Sequence, residues 1–383
     1  MKIRELHVQK FRNHTQTDIV FGGGINAILG ENGEGKTNLL EAISYLCLTK
    51  SFFGSADGIV LQVGETRFEV SGELETDSGL RYHVAVGYAH ADGDKRFFIN
   101  RSPLERFSEV VGLFPVVVLS PESGAITTGG PVDRRRFLDF VISQASKVYL
   151  EDLLEYRRVL RQRNRVLFDG KVNRSDCSDL LEPWDEELVD RGARITRRRG
   201  VFLKELDPII HDSYGRIAGR AEEPTIHYQP SVAHEEGISE EDLRGRFRQD
   251  LKRKSSEEKR LGLTLVGPHR DELELAINNL GLRSHASQGQ HKTFLIALKM
   301  AEFLYLQNKR NERPILLLDD IFTELDSQRS ERLLALTRSL GQAFITATSD
   351  RVFSADFDWA ETNKRFFVCK GTVGHAKAAS ITN

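Results

Sequence analysis

The chain has 383 residues, 39% of them hydrophobic, and 54 Lys+Arg against 56 Asp+Glu for a formal net charge of −2. That length allows two or three domains with a proper core, and the balanced charge gives no bulk case for nucleic acid, so any such surface has to be local. Cys47, Cys177 and Cys369 lie far apart without metal-ligand spacing, no apolar run reaches the ~18 residues of a membrane helix, and Met1-Lys2-Ile3-Arg4 precedes no signal-peptide core, a pattern that suits a soluble cytoplasmic protein without disulfides or a zinc hook.

Residues 2 to 9 alternate Ile3, Leu6 and Val8 with polar partners, and residues 17 to 21 return as a second strand, which predicts an opening hairpin. Phe11-Arg12-Asn13-His14 joins them, placing Arg12 either beside a phosphate or in an ordinary polar turn. Ile25, Ala27, Ile28 and Leu29 then form an apolar run ending on Gly30-Glu31-Asn32-Gly33-Glu34-Gly35-Lys36-Thr37, a match to G-x-x-x-x-G-K-[ST]. Leu39, Leu40, Ile43, Leu46 and Cys47 follow at helical spacing, so the motif has the strand before it and the helix after it that its chemistry needs. Three glycines let backbone N–H groups close around an anion, and the helix N-terminus adds partial positive charge there. Lys36 is expected to reach the outer phosphates of a nucleotide and Thr37 a magnesium ion.

Alternation of Phe68, Val70 and Leu74, then of Tyr82, Val84, Val86 and Tyr88, with Asp92-Gly93 as a turn before Lys95 to Asn100, predicts an antiparallel sheet over residues 59–100. Phe114 to Leu119 reads as a buried strand, broken by Ser120-Pro121-Glu122. From residue 130 the pattern turns helical. Leu150, Leu153, Leu154, Leu160 and Leu167 share one face, and Ile195, Phe202, Leu203, Leu206 and Ile209 another. Gly170, Pro183 and Gly192 interrupt the heptads, which excludes a long coiled coil, and residues 222–240, with Pro224, Pro230 and Gly237, read as loop. Basic clusters at Arg134 to Arg136, Arg157 to Arg165, Arg197 to Arg199 and Arg244 to Lys254 are matched by nearly as many acids. Each alone reads as a salt-bridged solvent face; their gathering on one lobe leaves a nucleic-acid surface as an equal alternative.

Strand character returns at Leu263-Thr264-Leu265-Val266, ahead of Gly267-Pro268-His269-Arg270-Asp271. Ser287-Gln288-Gly289-Gln290 opens a helix bearing Phe294, Leu295, Leu298 and Phe303, where a serine before a glycine serves as cap and anion site at once. Ile315 to Leu318 lead into Asp319 and Asp320 at the carboxyl end of a buried strand, where open parallel sheets bind their ligands. Asp319 is expected to hold magnesium and Asp320 to orient and polarise the attacking water. Ala343 to Thr348, followed by Ser349-Asp350, form a last strand whose hydroxyls would lie near a γ-phosphate.

The order of phosphate loop, long insertion, Ser-x-Gly-Gln and Asp-Asp strand resembles that of the ABC-type ATPases, and within them the compact SMC-like DNA repair proteins. Phe11-Arg12-Asn13, Gly30 to Thr37, Ser120-Pro121-Glu122, Arg134-Arg135-Arg136-Phe137-Leu138-Asp139, Gln162-Arg163-Asn164, Gly267 to Asp271, Ser287 to Gln290 and Leu316 to Asp320 bear the likeness across nearly the whole chain. The resemblance implies an α/β fold: an ABC-type, SMC-head-like P-loop ATPase domain with a mixed sheet and an inserted helical lobe. The head would comprise residues 1–125 and 260–383, and the lobe residues 126–259. It implies ATP and Mg2+ as cofactors, with Arg12, Asn13 and Gly30 to Thr37 cradling the nucleotide. Ser287, Gly289 and Gln290 would complete the neighbour's site in an ATP-dependent head-to-tail homodimer, making Lys36, Asp320 and Ser287 the catalytic set. DNA, single-stranded or gapped duplex, and RecR are the implied partners, in recombinase loading, replication and the SOS response, with no membrane involved.

Some features depart from the wider ABC pattern. The signature reads Ser-Gln-Gly-Gln, the second carboxylate is Asp320 where transporters have glutamate, Thr348 or Ser349 stands in place of the switch histidine, and no glutamine follows the Phe114 to Leu119 strand. A shorter carboxylate positions water less well, which fits weak, slow hydrolysis used as a switch; stimulation of that ATPase by DNA is what the resemblance implies. A transporter ATPase subunit would lack the basic helical insertion, an SMC head would be split by a very long coiled coil, and a nucleotide-binding module without turnover would not need Asp320.

Overall fold

The computed structural model describes residues 1–375 apart from residues 92, 219–221, 236, 355–356 and 360–361, so Asp92 of the expected turn lies outside the described residues. Numbering only helices longer than one turn, the chain runs β1 (Lys2–Phe11), β2 (His14–Val20), β3 (Ile25–Leu29), α1 (Lys36–Leu48), β4 (Arg67–Glu75), β5 (Arg81–Ala89), β6 (Asp94–Ile99), β7 (Ser102–Pro103) and β8 (Val116–Leu119). It continues through α2 (Pro131–Ala145), α3 (Lys147–Asn173), α4 (Ser178–Ala218), β9 (Pro224–Gln229), α5 (Glu240–Leu261), β10 (Glu272–Ile277) and β11 (Leu280–Gly281). Last come α6 (Gln288–Arg310), β12 (Ile315–Leu318), α7 (Ser327–Leu340), β13 (Ala343–Ala347), β14 (Lys364–Cys369) and β15 (Thr372–His375). Two compact units result: residues 1–124, 215–219 and 295–383, and residues 125–214 and 220–294.

The first unit contains two sheets. One is antiparallel, in the order β2-β1-β4-β5-β6-β7, so the opening hairpin and the alternating strands after α1 join a single sheet. Alternation makes it one-sided: Phe68, Val70 and Leu74 are buried while Arg67 and Glu69 are exposed. The other sheet has the order β15-β14-β3-β13-β12-β8, parallel throughout except for the β15 edge. Its central strands are short continuous apolar runs because both faces are covered, and every residue of β3, β8, β12 and β13 is buried. Helix α1 packs against β1, β4 and β5 on one side and β13 on the other. The rings of Phe11, Tyr45 and Phe68 meet edge to face at centroid distances of 5.3 to 5.6 Å and lock it to the antiparallel sheet.

The second unit is built on α2, α3, α5 and most of α4, with β9, β10 and β11 forming a small antiparallel sheet. Buried arginines brace it. Arg163 donates to Asp185 (2.6 Å), Glu258 (2.7 Å) and the Thr264 hydroxyl (2.8 Å). Arg199, 2% exposed, donates to Asp139 (2.8 Å), Asp271 (2.7 Å), the Pro268 carbonyl (2.7 Å) and Tyr149 (3.2 Å). The Gly-Pro-His-Arg-Asp block is thus an internal brace, which ties residues 260–294, expected with the head, to the helices of this unit.

Other expectations change here. Leu263 to Val266 form no strand, because side chains satisfy the backbone: Thr264 N–H donates to Asn164 Oδ1 (2.7 Å) and Leu265 N–H to Glu258 Oε1 (2.7 Å). The loop expected over 222–240 contains β9, which starts on Pro224 and pairs with β10. Helix α4 runs 41 residues through Pro183 and Gly192 without a break. At Gly192 a Cβ would meet the Phe247 ring at 2.5 Å, so that glycine serves close packing rather than interruption.

His269 makes the second unit sensitive to acid. Its ring lies between Tyr156 OH (2.7 Å from Nδ1) and the Thr264 carbonyl (3.1 Å from Nε2), and burial, followed by the charges of Arg270, Arg135 and Arg163, pushes its pKa down to about 4. The folded ring stays neutral while the unfolded one takes a proton below its ordinary value. Stability from this group is therefore complete above about pH 6.5 and is lost as pH falls towards 4, by up to about 3 kcal/mol. Urea unfolding at pH 7 and pH 4.5 should show a smaller acid loss in His269→Gln than in the parent; equal losses would refute the assignment.

Candidate functional site

Strands β3, β13, β12 and β8 run parallel and end together, with Thr346 beside Ile28 and Leu318 beside both Ile345 and Leu119. Their carboxyl ends deliver Gly30, Asp319 and Ser120 to one edge of the sheet, the position at which such sheets bind ligands. Between β3 and α1 the loop Gly30 to Gly35 turns back on itself. Gly35 has φ 109°, and a Cβ on it would lie 2.5 Å from Asn13 Oδ1, so glycine is required there. Lys36 is 6% exposed and its Nζ donates to the carbonyls of Gly30 (2.7 Å) and Glu31 (2.8 Å), which draws the loop into a ring around the ammonium. Burial lowers its pKa, opposed by the charges of Asp320, Asp319 and Glu34.

The two carboxylates stand across from this loop. Asp319 is 3% exposed, and its Oδ1 accepts from the hydroxyls of Thr37 (2.8 Å) and Thr346 (2.8 Å). Burial raises its pKa, the two hydroxyls counter the rise, and the charges of Glu122 and Asp320 add to it. Thr346 Oγ1 also accepts the Asp320 N–H (2.8 Å), which fixes the backbone where Asp320 takes φ 51°. Asp320 Oδ1 is buried with no hydrogen-bond partner among the described residues, an acceptor aimed where a polar ligand is required.

Thr37 Oγ1 and Asp319 Oδ1 are hard oxygen donors within 2.8 Å of each other. They fit Mg2+, which keeps waters and takes one or two protein oxygens alongside nucleotide phosphates. Among the described residues no group of three or more His, Cys, Asp or Glu side chains could hold a metal unaided.

The remaining expected residues fall into two groups. Asn13 joins the loop directly, donating from Nδ2 to the Glu34 carbonyl (2.9 Å) and accepting from Asn38 (2.8 Å). Arg12 instead grips the fully buried Glu41 through Nε (2.8 Å) and Nη2 (2.9 Å) and reaches Ser55 Oγ (3.3 Å), bracing α1 to the segment after it. In the second unit, Ser287 and Gln290 form a reciprocal cap on α6: the Ser287 N–H donates to Gln290 Oε1 (2.8 Å) and the Gln290 N–H to Ser287 Oγ (3.2 Å). Ser287 and Gln288 are exposed and Gly289 partly so, and of this first turn the Gln290 N–H is already taken by Ser287 Oγ.

The strand whose hydroxyls were expected near a γ-phosphate and the Phe11-to-His14 loop do reach the site, but neither Thr346 nor His14 was singled out within them, and Glu122 was not expected as a neighbour. The residues expected to replace a switch histidine, Thr348 and Ser349, are exposed beyond β13, whereas Thr346 inside the strand holds both aspartates. Alternation along β13 was the available signal, since Thr346 and Thr348 share a face. Glu122 lies in the Ser120-Pro121-Glu122 block, and its charge acts on Asp319.

A sequence profile described as the RecF/RecN/SMC N terminal domain matches residues 2–365. The chain is 45% identical over 357 residues to "DNA replication and repair protein RecF" of Chloroherpeton thalassium, covering 92% of this chain and 96% of that one. The chain belongs to the RecF family. Among solved structures, that of the recombination mediator protein RecF-ATPrS in the RecFOR pathway superposes with a TM-score of 0.90 at 33% identity, covering 98% of both chains. The Smc head domain of Pyrococcus furiosus shares the fold, with a TM-score of 0.56 at 14% identity over 98% of this chain and 95% of that one. The α/β, ABC-type P-loop fold expected from sequence is therefore the fold of this RecF-family chain.

Among its described residues, no helix is long and apolar enough to cross a membrane. Lys36→Ala should weaken ATP binding about 10- to 100-fold, the loss expected for charge-assisted hydrogen bonds to phosphate. Nucleotide titration checks this, with circular dichroism to show that the loop's loss of its ammonium leaves the fold in place. Unchanged affinity would sink the phosphate-loop assignment.

Proposed function

We propose that this RecF-family protein is an ATP-driven clamp of DNA replication and recombinational repair, working in the cytoplasm. ATP and Mg2+ bind at Gly30 to Thr37 and Asp319, two subunits close head to tail on the nucleotide, and hydrolysis resets the clamp. The observation that supports this most is the meeting of Thr37, Asp319, Thr346 and Asp320 at the mouth of the phosphate loop, with one Asp320 oxygen left unpaired.

When bound, Mg2+ would draw charge from the phosphate oxygens, held between Thr37 and Asp319. Lys36 would exchange the loop carbonyls for the outer phosphates. Asp320, oriented by its own N–H on Thr346, would accept a hydrogen bond from the attacking water and turn it towards the phosphorus. Ser287 and the exposed first turn of α6 would offer a hydroxyl and N–H groups to the γ-phosphate held by the partner subunit, so ATP joins two subunits where ADP does not. The names of the RecF relatives support the reading of a replication and repair protein; DNA at single-strand gaps, RecR and the SOS response are its proposed setting, carried by the sequence resemblance alone.

Sedimentation of the purified protein with ATP, ADP or no nucleotide, with and without gapped DNA, tests the clamp. A dimer is expected with ATP alone and a DNA-bound dimer when both are present. A monomer under all conditions would overturn the reading.

Most basic clusters of the second unit are ion-paired: Arg157 with Asp139, Arg158 with Glu155 and Glu187, Arg244 with Asp190 and Glu240, and Arg248 with Glu186. Arg197 and Arg198 are exposed, their partners Glu240 (3.3 Å) and Ser146 (3.4 Å) being held loosely. Replacing both by alanine should lower the log–log salt slope of DNA binding by about 2 if each meets a phosphate. An unaltered slope and affinity would assign them to the solvated, salt-bridged face.

A further inference from the structure

The phosphate loop is held from behind by two hairpin turns that come from opposite ends of the chain. One is Arg12-Asn13 between β1 and β2; the other is Lys370-Gly371 between β14 and β15. The Glu34 carbonyl accepts from Asn13 Nδ2 (2.9 Å) and the Gly371 N–H (3.0 Å), and the Glu34 carboxylate accepts the Lys370 N–H. The Gly35 carbonyl accepts from His14 Nε2 (3.1 Å) as well as from Leu39 N–H (3.3 Å), the first bond of α1. Gly371 has φ 74°, and a Cβ on it would lie 2.0 Å from the Asn13 carbonyl oxygen, so the two turns close on one another only with glycine there.

A trans peptide plane points its C=O and N–H in opposite directions. Carbonyls drawn outward at Glu34 and Gly35 therefore turn the N–H groups of Gly35 and Lys36 inward, into the cradle an anion would occupy. His14 is wholly buried, and burial lowers its pKa, so its ring is neutral at ordinary pH. A carbonyl accepts and never donates, which puts the proton on Nε2 and leaves Nδ1 to face Thr17 Oγ1 at 3.0 Å; that hydroxyl is also 3.3 Å from the Gly371 carbonyl.

We propose that His14 and the Lys370-Gly371 turn are positioning elements of the nucleotide site, which pre-set the phosphate loop's N–H groups for the phosphates of a nucleoside triphosphate. The inference rests on the phosphate-loop reading above. Neither element touches the ligand, and both act through the orientation of two peptide planes.

ATP dissociation constants and melting temperatures of the full chain test this, for the parent, Lys36→Ala, His14→Leu, His14→Gln and Thr17→Val. His14→Leu removes the bond to Gly35 and should weaken ATP about tenfold. His14→Gln, whose Nε2 can reach the same carbonyl, should restore most of that affinity even if its melting temperature stays as low as that of His14→Leu. A folded His14→Leu protein with parental affinity, or equal weakening in both His14 variants, overturns the proposal. If His14→Leu does not fold, the near-isosteric Thr17→Val decides: a loss of a few fold supports positioning through His14, and parental affinity refutes it. Equal ATP binding by the parent and Lys36→Ala would instead bring down the phosphate-loop reading, and the positioning role with it.

Discussion

Asp320→Asn is expected to bind ATP as tightly as the parent chain and to turn it over about a hundredfold or more slowly, the usual scale for losing a general base. Asparagine fits the site. Asp320 takes φ 51°, a left-handed conformation that Asn tolerates as well as Asp, and its N–H bond to Thr346 belongs to the backbone. Removing the charge also relieves Asp319, whose pKa Asp320 helps to raise. ATP should accordingly hold a long-lived dimer that size-exclusion chromatography can isolate. Ser287→Arg is expected to behave in the opposite way, binding ATP as a monomer without hydrolysing it.

Mixing the two proteins is the sharper measurement. In a mixed dimer one site has a wild-type loop, wild-type Asp320 and a wild-type Ser287 from its partner, while the other site has both defects. Partial recovery of phosphate release on mixing supports a site shared between subunits. Normal hydrolysis by monomeric Ser287→Arg would exclude it.

The second large effect is structural. Arg199→Met should destabilise the second unit by about 3–5 kcal/mol, because it leaves Asp139 and Asp271 as buried carboxylates without their common cation. Tyr149, Tyr228 and Arg157 also bond to these acids but cannot replace the shared fork. Chemical denaturation should place Arg199→Met far below a protein with Arg197 and Arg198 both replaced by alanine, whose exposed side chains contribute little. Similar stability in the two proteins would show that the buried network relaxes around its loss.

The helical spacing of Ile195, Phe202, Leu203 and Leu206 puts Arg199, and not Arg197 or Arg198, on the inward face, because a helix turns 100° per residue. What the spacing cannot supply is its partners, two acids 60 and 72 positions away. Locally encoded features were legible. The apolar runs of β3, β8 and β12 announced a sheet covered on both faces, and the phosphate loop lay between its strand and helix. The Asp-Asp pair ended its strand as expected. Features that depend on distant side chains were not legible. Leu263 to Val266 has strand composition, yet Asn164 and Glu258 take its backbone donors. Thr346 looks like any threonine in a strand until the register of β13 against β12 places it beside Asp319. The turn at Lys370-Gly371 is a two-residue hairpin connection with nothing in its composition to link it to residues 13 and 34.

The strand order also dictates when this protein acquires its nucleotide site during synthesis. Strand β3 lies between β13 and β14, and both of its neighbours are encoded roughly 300 residues downstream, so at ordinary elongation rates it waits about 15–60 s for its first backbone partner. Residues 125–294, almost all one unit, have emerged by then. A chain cut short before β13 is complete therefore has an Ile25 to Leu29 segment that is an apolar strand with both edges open, prone to pairing with its copies and recognisable to chaperones and proteases.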